Sequence, residues 1–421
     1  MLYRLNELQR ALVAPTVHLA HAGVRMFSEP HGWLAHMPGA AQVAAGYELI
    51  YRLGREYPKP EFGIRTVTVR GAEVIVSERT ALSRPFCRLL HFKRYSDDEQ
   101  VVAEMRRQPI ALVVAPLSGH HPTLLRDTVH SLLSDHDVYI TDWIDARLVP
   151  VGKGSFSLDD YVGYVRQFID HIGVARLHVM AVCQPTVPVL AAVALMAAAG
   201  HPVPRSMTLM GGPIDARRSP TAVNNLATTR PLRWFQDHLL HEVPARYPGR
   251  GRLVYPGFLQ YFGFVSMNPG RHINSHWDFY QDLIRGDLDD AEAHRRFYDE
   301  YNAVLDMPAE YYIDCVRIIF QQHLLPRGLW RVAGERVAPE AIENTHLLTI
   351  EGELDDVSGI GQTRAAHTLC TGVAGARKHH LLVEGAGHYG IFSGRRWRDF
   401  VYPRVRDFIA SSGAADPDAT G

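Results

Sequence analysis

A short turn between two apolar runs constrains this chain more than any other feature. Val179-Met180-Ala181-Val182 is apolar, Val187-Pro188-Val189-Leu190-Ala191-Ala192 is apolar and small, and Cys183-Gln184-Pro185 lies between them. A short buried run, a turn and a longer buried run read as strand, turn and helix. That is the layout of a nucleophile elbow, in which a strand ends, the chain turns sharply and a helix begins behind a reactive side chain. The usual elbow is Gly-x-Ser-x-Gly. Here Ala181 and Pro185 stand at the glycine positions and Cys183 at the serine.

A free cysteine is ordinarily a small buried hydrophobe. It becomes a nucleophile only beside a base that takes its proton. Elbow folds place the helpers later in the chain, an acid and then a histidine. His346 to Gly352 reads as a buried strand followed by Glu353-Leu354-Asp355-Asp356. His379 to Val383 reads as another, followed by Glu384-Gly385-Ala386-Gly387-His388-Tyr389-Gly390. Each candidate thus falls just past the carboxyl end of a strand, the edge where open α/β sheets gather ligands. Cys183 is the candidate nucleophile, His388 the base and then acid, and Asp355, preferred over its neighbour Asp356, the carboxylate that orients the imidazole. Cys87, Cys315 and Cys370 lack such a setting and read as core thiols.

The surrounding pattern predicts an α/β-hydrolase fold, with a mainly parallel sheet covered by helices on both faces. Thr66 to Arg70 and Glu73 to Ser77 read as a hairpin about Gly71, with Phe86 to Phe92 as a third antiparallel strand. Strands at 110–115, 137–141, 177–182 and 206–211 alternate with helices at 121–134 and 158–172. Residues 63–213 and 341–410 form the expected core. Residues 214–340 are aromatic and helical, the pattern of a cap or lid inserted over the strand ends. Residues 1–62 read as a helical segment for packing or docking, and 411–421 as a disordered tail.

Composition narrows the partners. The 421 residues carry 44 Lys and Arg against 45 Asp and Glu, a net charge of −1, so no polyanion-binding field and no nucleic acid partner are expected. Four scattered cysteines form neither a CxxC pair nor a zinc pattern. No metal and no cofactor are expected, and the cysteine usage fits a reducing compartment. The start of the chain lacks a signal-peptide core, and the longest apolar stretch, 187–200, is too short to span a bilayer. The sequence therefore reads as cytoplasmic, and homo-oligomerisation is left open.

An oxyanion hole needs two backbone N–H donors. Gln184, after the nucleophile, is the candidate for one. Leu117 or Ser118, in the loop after the 110–115 strand, is the candidate for the other. Trp143, Trp234, Tyr261 and Phe264 are the candidate substrate-binding aromatics, although the insertion's aromatics could equally form its own core.

These residues resemble the intracellular poly(3-hydroxybutyrate) depolymerases. The resemblance rests on Val182-Cys183-Gln184-Pro185-Thr186-Val187-Pro188, Gly352-Glu353-Leu354-Asp355-Asp356, Gly385-Ala386-Gly387-His388-Tyr389-Gly390, the opening Met1-Leu2-Tyr3, and Tyr57-Pro58-Lys59-Pro60-Glu61-Phe62-Gly63-Ile64. It implies hydrolysis of amorphous storage polyester to 3-hydroxybutyrate and oligomers, at intracellular granule surfaces, through a covalent acyl group on Cys183. The residues alone reach only an acyl-transferring hydrolase. A polyester synthase is the nearest alternative, although its elbow resembles Gly-x-Cys-x-Gly. Thiolysis by coenzyme A, a small-ester or thioester hydrolase, and a non-enzymatic granule-binding protein are the others.

Overall fold

The computed structural model describes residues 2–267 and 269–413. Nine strands form one sheet: β1 (Thr66–Val69), β2 (Ala72–Ser83), β3 (Cys87–Tyr95), β4 (Ile110–Val114), β5 (Asp137–Trp143), β6 (Leu177–Val182), β7 (Ser206–Met210), β8 (His346–Gly352) and β9 (Lys378–Val383), in the order β1-β2-β3-β5-β4-β6-β7-β8-β9. The first three are antiparallel, and β3 meets β5 antiparallel. From β5 onward every pairing is parallel. This is the α/β-hydrolase fold, extended at one edge by the β1–β2 hairpin. β6 sits at its centre and is buried at every residue, which explains why it reads as an uninterrupted apolar run rather than an alternating one.

The helices follow local rules. α1 (Leu2–Ser28) and α2 (Ala40–Gly54) pair through Gly23 against the Tyr47 ring and through His21 stacked on Tyr51 at 4.7 Å. In α3 (Glu99–Arg107) the Asp98 carboxylate caps the amides of Gln100 and Val101, satisfying donors the first turn leaves open. α4 (Arg126–Leu132) follows a 3-10 turn at Pro122–Leu125, so the helix expected from residue 121 begins later. Pro122 sets that tighter entry. α5 (Leu158–Ile172) opens with a Ser157–Asp160 capping box. α6 (Thr186–Ala198), directly behind Cys183, is buried from Thr186 through Met196, and so is apolar on every side.

Between β7 and β8 lie α7 (Ala222–Thr229), α8 (Leu232–Leu239), α9 (Gly257–Met267), α10 (Pro269–Arg285), α11 (Leu288–Asn302) and α12 (Ala309–Asp314), with a small sheet of Met307–Pro308, Leu253–Tyr255 and His241–Glu242. The later part of this stretch is not a separate layer. Tyr311, Cys315, Ile318 and Trp330 join the main core, and Tyr311 stacks on Tyr161 of α5 at 5.4 Å. α13 (Tyr402–Gly413) covers residues 411–413 with helix where the sequence suggested a tail. Residues 414–421 lie outside the described residues. Among the described residues no helix is long and apolar enough to cross a membrane.

Candidate active site

Cys183 opens the three-residue turn between β6 and α6 with φ of 69°, a left-handed conformation that costs an L-residue about 1–2 kcal/mol. Two backbone bonds hold it there: Cys183 N–H to the Met210 carbonyl at 2.7 Å, and Thr186 N–H to the Cys183 carbonyl at 3.1 Å. The room that elbow glycines usually provide comes from the neighbouring strand end. A Cβ on Gly212 would lie 1.9 Å from Thr186 Oγ1 and 2.3 Å from the Cys183 carbonyl oxygen. This explains how Ala181 and Pro185 are tolerated, and it could have been suspected from Gly211-Gly212 after β7.

His388 opens the turn beyond β9. Its Nδ1 lies 2.7 Å from Asp355 Oδ2, beyond β8. Asp355 Oδ1 accepts N–H bonds from Val357 and Ser358, both at 2.8 Å. The carboxylate is therefore fixed by two backbone amides while its other oxygen fixes the imidazole. Burial, the largest influence on His388, disfavours the charged ring. The charges and hydrogen bonds of Asp355 and Cys183 outweigh it and hold the imidazole well above its usual value.

Cys183 and His388 line one cavity of about 280 Å³, with Ser118, His120, Phe264 and Tyr389 among the other walls. Asp356 also faces it, whereas Asp355 sits behind His388. Pro185 has no N–H, the Cys183 amide donates to the Met210 carbonyl at the end of β7 and the Thr186 amide to the Cys183 carbonyl, so the Gln184 amide is the elbow's candidate donor toward the cavity. Its side chain is anchored by Nε2 donating to Cys315 Sγ at 3.1 Å. In the opposing loop Ser118 lines the cavity, whereas the Leu117 side chain is fully buried in the core.

Of the four candidate aromatics, only Phe264 lines this cavity. Trp143 is buried in the core, stacked on Tyr161 at 4.2 Å, and its Nε1 donates to the Ala115 carbonyl at 2.8 Å. It anchors the start of the Pro116 loop rather than facing a ligand, because an indole N–H inside a core must find an acceptor. Trp234 stacks on His238 one turn along its own helix. Tyr261 lines a different cavity, between α1, α2 and α9. The sequence reading missed His120, Arg271, His272, Tyr298, Tyr301 and Tyr389 as cavity walls. His120 stacks on Phe264 at 5.0 Å, and burial pushes its imidazole down to about 4, so it stands there neutral. Its position in the 116–121 loop was the one available signal.

Residues 211–413 match the family described as PHB de-polymerase C-terminus. The matched segment contains both Asp355 and His388, and it supports an ester hydrolase. No curated protein matches the chain. Among solved structures, the chain is similar to a membrane phospholipase A described as a bacterial virulence factor, at 14% identity over 97% of this chain and 100% of that one, with a TM-score of 0.43. It is similar to a 2-hydroxy-6-oxo-6-phenylhexa-2,4-dienoate hydrolase from Rhodococcus sp. strain RHA1, at 13% identity over 80% and 99%, with a TM-score of 0.42. A carboxylesterase structure from Nitrososphaera gargenis matches at 11% identity over 80% and 98%, with a TM-score of 0.41.

Proposed function

We propose that the protein hydrolyses ester bonds of poly(3-hydroxybutyrate) inside the cell, at the surface of polyester granules, with Cys183 as nucleophile. One observation carries the reading most: the left-handed Cys183 turn at the sheet edge opens into the cavity that holds His388, itself fixed by Asp355. His388 takes the thiol proton as sulfur attacks the ester carbonyl, and the oxyanion forms against the Gln184 amide and an amide of the Leu117-Ser118 segment. Collapse breaks the C–O bond, and the leaving alkoxide takes the proton back from His388. Water, deprotonated by His388, then attacks the thioester, and the hydroxyacid leaves as Cys183 is regenerated. Asp355 keeps the imidazole in the tautomer that faces sulfur and stabilises the imidazolium.

The polymer part of the reading draws on the PHB de-polymerase match and on the motif resemblance. A small-ester hydrolase is favoured by one observation, the modest cavity of about 280 Å³. The test is release of 3-hydroxybutyrate from amorphous polymer particles by wild type and Cys183→Ala, with and without coenzyme A. Release by wild type alone, without coenzyme A, is expected. Formation of 3-hydroxybutyryl-coenzyme A in place of the free acid, and only with coenzyme A present, means thiolysis. Turnover of p-nitrophenyl butyrate with none on particles means a small-ester enzyme. Equal release by Cys183→Ala rejects the cysteine mechanism.

A further inference from the structure

The opening Met1-Leu2-Tyr3 motif has no part in the chemistry described so far, yet Tyr3 is one of the best-anchored residues of α1. Its ring is buried at 3% exposure, edge-on to Phe258 at 5.6 Å. Its hydroxyl donates to Asp306 Oδ2 at 2.7 Å. Asp306 is a node. Its other oxygen accepts the Gly257 N–H at 2.8 Å and so caps the start of α9, its own N–H donates to Asp145 Oδ1 at 3.2 Å, and its carbonyl accepts from Ala146 N–H at 3.1 Å.

The residues just before Asp306 form a strap across the loop that faces Cys183. Leu305 N–H donates to the Gly119 carbonyl at 2.7 Å, and Val304 pairs antiparallel with His120. Gln260, on the capped helix α9, closes the arrangement from the other side. Its Nε2 donates to the Leu305 carbonyl at 3.2 Å, and a Cβ on Gly119, which sits at φ of +103°, would lie 2.8 Å from its Oε1. Gly119 is flanked by Ser118 and His120, both cavity walls. An unbroken path of hydrogen bonds and two covalent residues therefore joins the Tyr3 hydroxyl to the backbone opposite the nucleophile.

We propose that Tyr3 is a positioning residue of the active site: by fixing Asp306 it holds the 304–306 strap, and through it the 117–120 backbone on the oxyanion side of the cavity. The inference rests on the acyl-transfer reading above. In physical terms, losing the hydroxyl leaves a buried carboxylate oxygen short of a donor, which Asp306 answers by re-pairing and shifting. Displacing an oxyanion donor by a fraction of an ångström lowers the rate without touching the nucleophile.

The experiment compares wild type and Tyr3→Phe in two reactions of the full chain. With p-nitrophenyl butyrate, kcat is expected to fall about tenfold, less than the loss of an entire oxyanion donor, while KM stays within about twofold. Alkylation of Cys183 by iodoacetamide passes through no oxyanion, so its rate is expected to stay within about twofold. Unchanged kcat in Tyr3→Phe overturns the proposal. So does a loss confined to KM, or an equal loss in alkylation, which would mean a general disturbance of the site. If Tyr3→Phe does not fold, Asp306→Asn takes its place with the same readouts, since it keeps the oxygen that caps Gly257 and replaces the acceptor facing the Tyr3 hydroxyl with an amide N–H donor. A wild type that turns over no ester sinks the acyl-transfer reading itself, and this proposal with it, an outcome distinct from an unaffected variant.

Discussion

Cys183 holds a backbone conformation that most residues avoid, and this has a measurable consequence. Relief of the left-handed strain at φ of 69° by Cys183→Gly is worth about 1–2 kcal/mol, offset by roughly 0.5–1 kcal/mol of extra chain entropy lost on folding. Cys183→Gly is therefore expected to unfold within about 1 kcal/mol of wild type in urea, whereas the β-branched Cys183→Val is expected to lose clearly more. Equal midpoints for the two variants would mean that the turn is not strained. His388 gives a second prediction. Its imidazole is held above the usual value although burial opposes the charge, because Asp355 and Cys183 favour it. Asp355→Asn removes one of these influences, so the His388-dependent limb of the kcat/KM profile should move to lower pH, with a rate loss of at least about a hundredfold. The linkage has a definite sign. A histidine whose folded pKa is raised contributes stability below its unfolded value and loses it as pH rises through the folded value. The stability gap between wild type and Asp355→Asn should accordingly close toward alkaline pH. A gap that widened there would contradict the assignment of cause.

The elbow depends on β7 as much as on β6 and α6. Gly212 lies just past β7, and its missing Cβ makes room for Thr186 and for the Cys183 carbonyl. One of those neighbours is backbone and cannot rotate away, so Gly212→Ala is expected to cost about 2–3 kcal/mol and to depress kcat beyond what its folded fraction explains. Denaturant titration beside p-nitrophenyl butyrate turnover checks both, and a variant with wild-type kcat would sink the idea. This dependence also shows what the chain disclosed before folding. β6, β8 and β9, and the residues after them, were legible because a buried parallel strand is a bare apolar run and catalytic loops follow strand ends. The left-handed turn at Cys183 was legible as an elbow even without its glycines. The contacts between distant segments were not. Nothing local announces that Gly212 packs under Cys183, that Trp143 spends its N–H on Ala115, or that Val304 pairs with His120, since periodicity records which face is buried and not what buries it. Trp143 looked like a ligand-facing aromatic because it ends a strand, and only its neighbours show it to be core.

In the whole molecule, the wall of the cavity and the outer surface are two faces of the same helices. Along α10, His272 and Ser275 face the cavity, while Ile273 and Trp277 are 68% and 60% exposed; along α9, Phe264 faces inward and Phe262 is 70% exposed. Single exposed apolar residues need no explanation, but three on helices that also form the wall beside the proposed nucleophile bear on what the enzyme meets. A soluble ester reaches Cys183 without touching them. A water-insoluble polyester surface docked on the outward face of these helices would cover them, at about 25 cal/mol per Å² of apolar surface removed from water. Trp277→Ala combined with Phe262→Ala is therefore expected to weaken co-sedimentation with amorphous poly(3-hydroxybutyrate) particles by about tenfold or more, and to lower turnover of particles to a similar degree. Turnover of p-nitrophenyl butyrate should be unchanged, because neither side chain reaches the cavity. Equal losses on both substrates would place the two residues in the structural support of α9 and α10. Wild-type sedimentation by the variant would show that the polymer reaches Cys183 from another side, and the outward face of these helices would then have no part in recognising it.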